Sequence, residues 1–197
     1  MTAKPRIVGL GGTSRPNSSS ELALRACLAR LEALGARTEI FCGKALELPL
    51  YGGKPLAPQA ERLVEALKVC DGLVISTPSY HGALSGGIKN ALDYLEELRS
   101  DRRPYLDGRA VGTIVCAYGA QAIGTTLVGI RWIVHALRGW PTPMAAGINS
   151  SQGVFSEDGR CTDQAAQHQL DLVAHQVWEF AAMRRCRAGR DDIRAAA

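Results

Sequence analysis

Arg6–Arg37 reads RIVGLGGTSRPNSSSELALRACLARLEALGAR, and its three parts decide the fold. Arg6–Gly11 is a short apolar run bounded by turn residues, the pattern of a strand buried on both faces. From Glu21 to Leu34 the apolar positions Leu22, Leu24, Cys27, Leu28, Leu31 and Leu34 recur at three- and four-residue steps, so a helix follows. Gly35 stands where a helix C′ residue belongs. Between strand and helix lies a loop made almost wholly of glycine and hydroxyl residues.

The same alternation continues outward from this unit. Thr38–Cys42 is predicted as strand two, Pro58–Val69 as helix two with Leu63, Val64 and Leu67 inward, and Gly72–Thr77 as strand three. Gly87–Leu98 makes helix three, Arg109–Cys116 strand four, Thr125–Leu137 helix four, Met144–Asn149 strand five and Asp163–Met183 a long closing helix. Right-handed crossovers then give an α/β domain with a parallel sheet and helices on both faces. A five-stranded sheet in a chain of this length suits the doubly wound order 2-1-3-4-5. Its ligand crevice lies beyond the carboxyl ends of the strands, at the switch between strands one and three. The loops after strands one, three and four are therefore where function is expected. Leu48–Pro58, LPLYGGKPLAP, reads as a long loop in which Tyr51 either faces a ligand or pins the loop, pinning being the simpler role. Trp132, Trp140 and the Pro-Thr-Pro turn read as core and loop structure.

With 197 residues, 21.1 kDa and 46% hydrophobic content, the chain supports one substantial core. A single domain over 1–183 is expected, followed by an arginine-rich, flexible tail over 184–197. MTAKPRIVGLGG lacks the apolar stretch of a signal peptide, and no segment approaches the ~18 apolar residues of a membrane span. A soluble cytoplasmic protein is expected, with no membrane partner. The six cysteines include no C-x-x-C pair, which argues against a zinc site or a dithiol redox centre and for buried free thiols. Net charge is +4, with much of the excess at Arg184, Arg185, Arg187, Arg190 and Arg194. Without interleaved aromatics these arginines do not predict nucleic-acid binding.

Thr13, Ser14, Ser18, Ser19 and Ser20 supply hydroxyl donors, Arg15 supplies charge, and the helix that follows offers unpaired N–H groups and the positive end of its dipole. Such donor density suits a terminal phosphate monoester. The dinucleotide fingerprint G-x-G-x-x-G is not met, because Ser14 stands at its third glycine. Strand two also ends in Phe41-Cys42-Gly43-Lys44, with no acid to hold a ribose. There is no G-K-[ST], so a P-loop NTPase is excluded. One serine would suffice for a helix cap.

Strand three exits through Ser76-Thr77-Pro78-Ser79-Tyr80-His81-Gly82, and helix three carries Lys89-Asn90-Ala91-Leu92-Asp93-Tyr94. These segments resemble the T-P-E-Y-N-G and K-N-A-L-D-W segments of the NAD(P)H-dependent FMN reductases, a flavodoxin-like family that includes azoreductases and quinone or chromate reductases. The first loop resembles that family's G-S-x-R-x-x-S-x-N phosphate segment. The resemblance runs from strand one to strand five and implies a flavodoxin-like fold, FMN as cofactor, and NADPH or NADH as hydride donor. Arg15, Ser18 and Ser20 match phosphate-binding positions, beside the further loop donors Thr13, Ser14, Asn17 and Ser19. Pro78, Ser79, Tyr80, His81 and Gly82 match positions lining the isoalloxazine, and Tyr118 and Gly119 fall in the loop after strand four. The sequence departs from the pattern where Ser20 replaces Asn, Ser79 replaces Glu and His81 replaces Asn. Two roles stand open for His81, a donor near the flavin pyrimidine or a scaffold for the loop. Tyr118 either edges the ring or packs in the core. His135, His168 and His175 fall on helices, the last two about two turns apart and too distant to share a metal.

Hydride transfer between nicotinamide and flavin asks the protein to position, and no catalytic acid, base or nucleophile is expected. For a 2′-phosphate the candidates are Arg15, Lys89, Arg102 and Arg103. The resemblance also implies a homodimer or homotetramer, with Leu92, Tyr94 and Leu95 either facing a twin or filling the chain's own core. Reduced flavin is then passed to a monooxygenase, or electrons pass from bound FMN to a quinone, azo compound or chromate. A non-enzymatic carrier of the flavodoxin kind fits less well, because such carriers present an acidic face and this chain has a pI near 8.8.

Overall fold

Ile7, Val8 and Leu10 are almost wholly buried, as are Leu73, Val74 and Ile75 beside them, because a parallel sheet is covered on both faces. The computed structural model describes residues 4–195. In chain order its elements are β1 (Arg6–Gly11), α1 (Ser19–Ala33), β2 (Arg37–Phe41), α2 (Pro58–Val69), β3 (Gly72–Tyr80), β4 (Ala83–Leu84) and α3 (Gly86–Asp93). There follow β5 (Ala110–Ala117), α4 (Ala120–Ala136), β6 (Trp140–Pro141), β7 (Ala146–Asn149) and α5 (Gln164–Ala195). The sheet order is β2-β1-β3-β5, with β6 and β7 both parallel to β5 on its far side. That is the expected 2-1-3-4-5 order, with the last position shared by two short segments. Helices α1 and α5 pack on one face and α2, α3 and α4 on the other.

Local chemistry explains the joints. Gly35, at φ 94°, ends α1 in a Schellman motif, with Ala36 N–H on the Leu31 carbonyl at 3.0 Å and Gly35 N–H on Glu32 at 2.9 Å. The edge strand is broken around Pro141 and Pro143, which have no N–H to give a ladder. Its outward amides are taken up by α5. Met144 N–H donates to Gln176 Oε1 at 2.8 Å and Gly147 N–H to Gln169 Oε1 at 2.9 Å. Gly112 lets α5 lie close, since a Cβ there would stand 2.5 Å from Val173 Cγ1.

The structure departs from several expectations and decides between alternatives that the sequence leaves open. Helix three ends at Asp93 and passes into a 3₁₀ turn over Tyr94–Leu98. Helix four begins at Ala120, five residues before the periodicity announces it, so the loop after β5 shrinks to Tyr118-Gly119. The closing helix does not stop at Met183. It continues to Ala195, and Arg185 within the expected tail pairs with Asp71 at 2.7 Å. Arg190 and Arg194 lie in that helix but outside the residues whose side chains are described. Leu92, Tyr94 and Leu95 fill the chain's own core, at 2%, 3% and 0% exposure. Trp132 and Trp140 stand exposed rather than buried. Tyr51 pins its loop, its hydroxyl on Glu97 at 2.9 Å and its ring edge-on to Tyr94. His135, His168 and His175 lie exposed on helices, and the described residues contain no cluster able to hold a metal.

At the amino edge of the sheet, Arg109 is fully buried and has no carboxylate partner among the described residues. Its guanidinium donates to the carbonyls of Lys68, Cys70, Tyr105 and Asp107 and so satisfies the end of α2. Arg109→Met is expected to lower stability by about 3 kcal/mol in urea unfolding, because buried carbonyls lose charged donors. Arg109→Lys is expected not to restore it, since one ammonium cannot span the fork of acceptors.

Candidate active site

At the opposite edge, the carboxyl ends of β1, β3, β5 and β7 stand side by side, with Gly11 paired to Ser76, Pro78 to Cys116 and Ala117 to Asn149. The chain leaving each strand contributes one wall of a cleft of about 420 Å³. That volume lies in the range of small-molecule sites. Two larger surface hollows, one between α1 and residues 157–161 and one around Lys54–Lys68 and Glu97–Asp101, lie away from the strand ends.

One wall is the loop before α1. Ser18 caps the helix, its Oγ accepting from Glu21 N–H at 3.3 Å, and it lies 3.3 Å from Ser20 Oγ. Ser18 and Ser20 are 4% and 1% exposed, whereas Ser14 and Arg15 stand out at the rim. Thr13 Oγ1 braces the loop by accepting from Arg15 N–H at 3.1 Å. The second wall is β3, which runs three residues past its predicted end and pairs with β4 as a hairpin. His81 and Gly82 form its two-residue turn, with φ of 53° and 81°. Positive φ at both central positions marks a type I′ turn, whose favoured residues are Asn-Gly. Ser79 ties this wall to the next, its hydroxyl on the Ala122 carbonyl at 3.1 Å and 2.7 Å from Thr126 Oγ1. Tyr118, 78% exposed, forms the third wall.

Ten of the fourteen residues named for the site line this cleft: Thr13, Ser14, Arg15, Ser18, Ser19, Ser20, Pro78, Ser79, Tyr80 and Tyr118. The other four do not. Asn17 turns to the hollow beside α1, His81 and Gly82 sit on the hairpin tip, and Gly119 is spent as the N-cap of α4. Cys116, Ala117 and Ser150 complete the lining, and of these sequence reasoning did not bring Cys116 or Ser150 to the site. Of these, Ser150 follows β7, and the parallel pairing of the last two strands was the signal that places it beside Ala117.

The sequence model of the NADPH-dependent FMN reductases matches residues 5–153, a span that includes all of these walls. The chain belongs to that family. The enzyme is an oxidoreductase that uses FMN and a nicotinamide dinucleotide. It is 29% identical over 194 residues to an NAD(P)H-dependent FMN reductase of Pseudomonas aeruginosa, covering 90% of this chain and 97% of that one. It is 28% identical over 178 residues to an FMN-dependent NADPH-azoreductase of Staphylococcus aureus, covering 86% and 91%. Among solved structures, the flavoenzyme NAD(P)H:(acceptor) oxidoreductase FerB of Paracoccus denitrificans superposes with a TM-score of 0.71 at 20% identity, over 91% of this chain and 98% of that one. An NADH:FMN oxidoreductase in its apo form also gives 0.71 at 20% identity, over 91% and 90%. These two likenesses speak for the flavodoxin-like fold.

The donor set of this reductase fits FMN. The lining has hydroxyls and one guanidinium at the α1 end, flat and small residues at the other, and no carboxylate to repel a phosphate. Burial pushes the Cys116 thiol up to about 12, so at neutral pH it is an uncharged wall and not a nucleophile. Of the cations considered for a 2′-phosphate, Arg103 is committed to the Cys70 and Asp107 carbonyls at the amino edge, far from the cleft, and Lys89 pairs with Asp93 at 2.6 Å.

His81 occupies the first central position of the turn, where asparagine is the favoured residue. His81→Asn is expected to keep FMN affinity within about twofold and to raise the unfolding midpoint slightly. A large loss of affinity would instead put the imidazole on the flavin. Gly82→Val forces a β-branched residue to φ 81° with its Cβ 3.3 Å from Thr125 Oγ1, and about 2 kcal/mol of stability should be lost on thermal unfolding.

Proposed function

We propose that the cleft holds FMN with its phosphate on Thr13, Ser14, Arg15, Ser18, Ser19 and Ser20 and its ring system against Pro78–Tyr80 and Tyr118. The observation that carries this reading is the division of one cleft into a hydroxyl-rich, helix-capped end and a flat end. Bound FMN supplies the chemistry, accepting hydride from a nicotinamide and giving electrons to an acceptor. The chain's own part is positional. The amides at the start of α1 and the Arg15 guanidinium neutralise the phosphate. The Ser79 hydroxyl fixes the two ring-side walls to each other. Tyr80 and Tyr118, 54% and 78% exposed, leave an aromatic mouth through which flat donors and acceptors enter. The azoreductase relative supports a second reading, in which FMN stays bound and the acceptor is an azo compound, quinone or chromate. In the first, reduced FMN leaves for a monooxygenase.

The protein is read as cytoplasmic, where its free thiols stay reduced. No helix among the described residues is long and apolar enough to cross a membrane. A homodimer is supported by α4, whose outer face carries Val128 and Trp132 one turn apart, 57% and 71% exposed, and runs on to Thr125 beside the hairpin tip. A second copy of this chain is the occupant proposed for that face.

NADPH and NADH oxidation should be followed with and without added FMN, and then with a quinone. Turnover that saturates with added FMN supports release of reduced flavin, whereas stoichiometrically retained flavin with quinone-dependent rates supports the second reading. Absence of FMN binding would overturn both. In sedimentation velocity the wild type is expected as a dimer and Trp132→Glu as a monomer of unchanged fold. A wild-type monomer refutes the interface.

A further inference from the structure

Beneath the phosphate loop lies a buried carboxylate, which is unexpected where an anion is to bind. Glu21 stands in the first turn of α1 with a side chain 8% exposed. In an ordinary capping box, the acid three residues into a helix accepts the N-cap amide. Here Glu21 Oε2 reaches one residue further out and accepts from Asn17 N–H at 3.2 Å. Asn17 is held at φ 54°, left-handed, at the end of the loop. The start of the loop rests on the same side chain, since a Cβ on Gly12 would lie 3.2 Å from Glu21 Cβ. Glu21 thus bonds the end of the loop and lies close under its start.

Its charge is answered from one side. Arg25 donates to Glu21 Oε1 through Nε at 3.0 Å and Nη2 at 2.7 Å. The Cys42 thiol, at the end of β2, lies 3.6 Å from Oε1 and 3.5 Å from Arg25 Nη2 and closes the cluster. Donating to Glu21 raises the Arg25 pKa and holds the guanidinium charged against the carboxylate.

We propose that Glu21 and Arg25 form a charge-neutral strut that holds the Gly12–Asn17 loop in its phosphate-receiving shape, making Glu21 a positioning residue for the cofactor's phosphate. The inference rests on the reading that this loop takes the FMN phosphate. Two consequences separate it from a plain stabilising ion pair. Removing Glu21 loosens the loop and costs affinity only for ligands that carry the phosphate. Removing Arg25 leaves a bare carboxylate under the loop, which repels that phosphate, most strongly at low ionic strength.

Dissociation constants for FMN and riboflavin, measured by flavin fluorescence alongside thermal unfolding, test this. Wild type is expected to prefer FMN. Glu21→Ala and Arg25→Met should each narrow that preference about tenfold, through FMN alone. Glu21→Gln, which keeps an oxygen for Asn17 N–H, should recover most of it. In the Arg25→Met background, Glu21→Gln should raise FMN affinity by removing the unanswered charge. Should Glu21→Ala fail to fold, Glu21→Gln and Arg25→Met carry the comparison. Variants that weaken both flavins in parallel, or leave the preference at the wild-type ratio, would overturn the strut. Wild-type protein indifferent to the phosphate would overturn the underlying reading and the strut together.

Discussion

Sheet and site meet at Ser76, a fully buried residue of β3. Its carbonyl accepts from Gly12 N–H at 3.2 Å, and its hydroxyl donates to the Ser20 carbonyl at 2.7 Å. One residue of the central strand therefore holds the chain on both sides of the loop between them. Gly11 presses so close that a Cβ would lie 2.5 Å from the Ser76 carbonyl oxygen, so the chain can only arch outward from there. The arch is clamped at its two feet, and the helix that follows begins at its far foot with its first amides in need of partners. Ser76 is the point at which a strand of the core determines the form of the binding loop.

The fold was legible because its signals are periodic. Leu24, Leu28 and Leu31 repeat at helical spacing, Gly35 marks a stop that the Schellman bonds bear out, and the buried strands read as unbroken apolar runs. What escaped was set by pairing rather than period. β3 continues through Ser79 and Tyr80 because β4 folds back on it, a partnership only two residues long. The start of α4 at Ala120 falls among small, weakly patterned residues, where no apolar stripe marks the first turn. The long closing helix was cut short at an arginine cluster that reads as tail, yet Arg185 finds Asp71 across the sheet edge.

For the site, the hydroxyl loop and Pro78–Tyr80 were readable because their chemistry is dense in a few consecutive residues. The exceptions have a common cause. Asn17 and His81 both sit at positive φ, a backbone role that the sequence does not announce, and for His81 the sequence leaves scaffold and flavin donor equally open. A short polar residue in a left-handed turn and one at a binding site look alike in sequence. Ser150 went unnamed for the opposite reason: it is an isolated residue whose importance comes only from β7 lying beside β5.

The chemistry of a flavin reductase asks its protein chiefly for position. Hydride transfer between two bound rings needs them held at a fixed approach, so its rate depends on how stiff the walls are. The walls here are fastened to one another through polar groups within their backs. Ser79 joins β3 to α4, Thr77 Oγ1 accepts from Ser85 N–H at 3.0 Å across the hairpin, and Ser76 joins β3 to α1. The Ser76 and Thr77 bonds are buried, so losing one partner leaves a buried group unpaired. The shape of the cleft therefore rests on these hydroxyls. A change at any of them alters the walls of the cleft, while the exposed Tyr80 and Tyr118 at its mouth bear little of the fold.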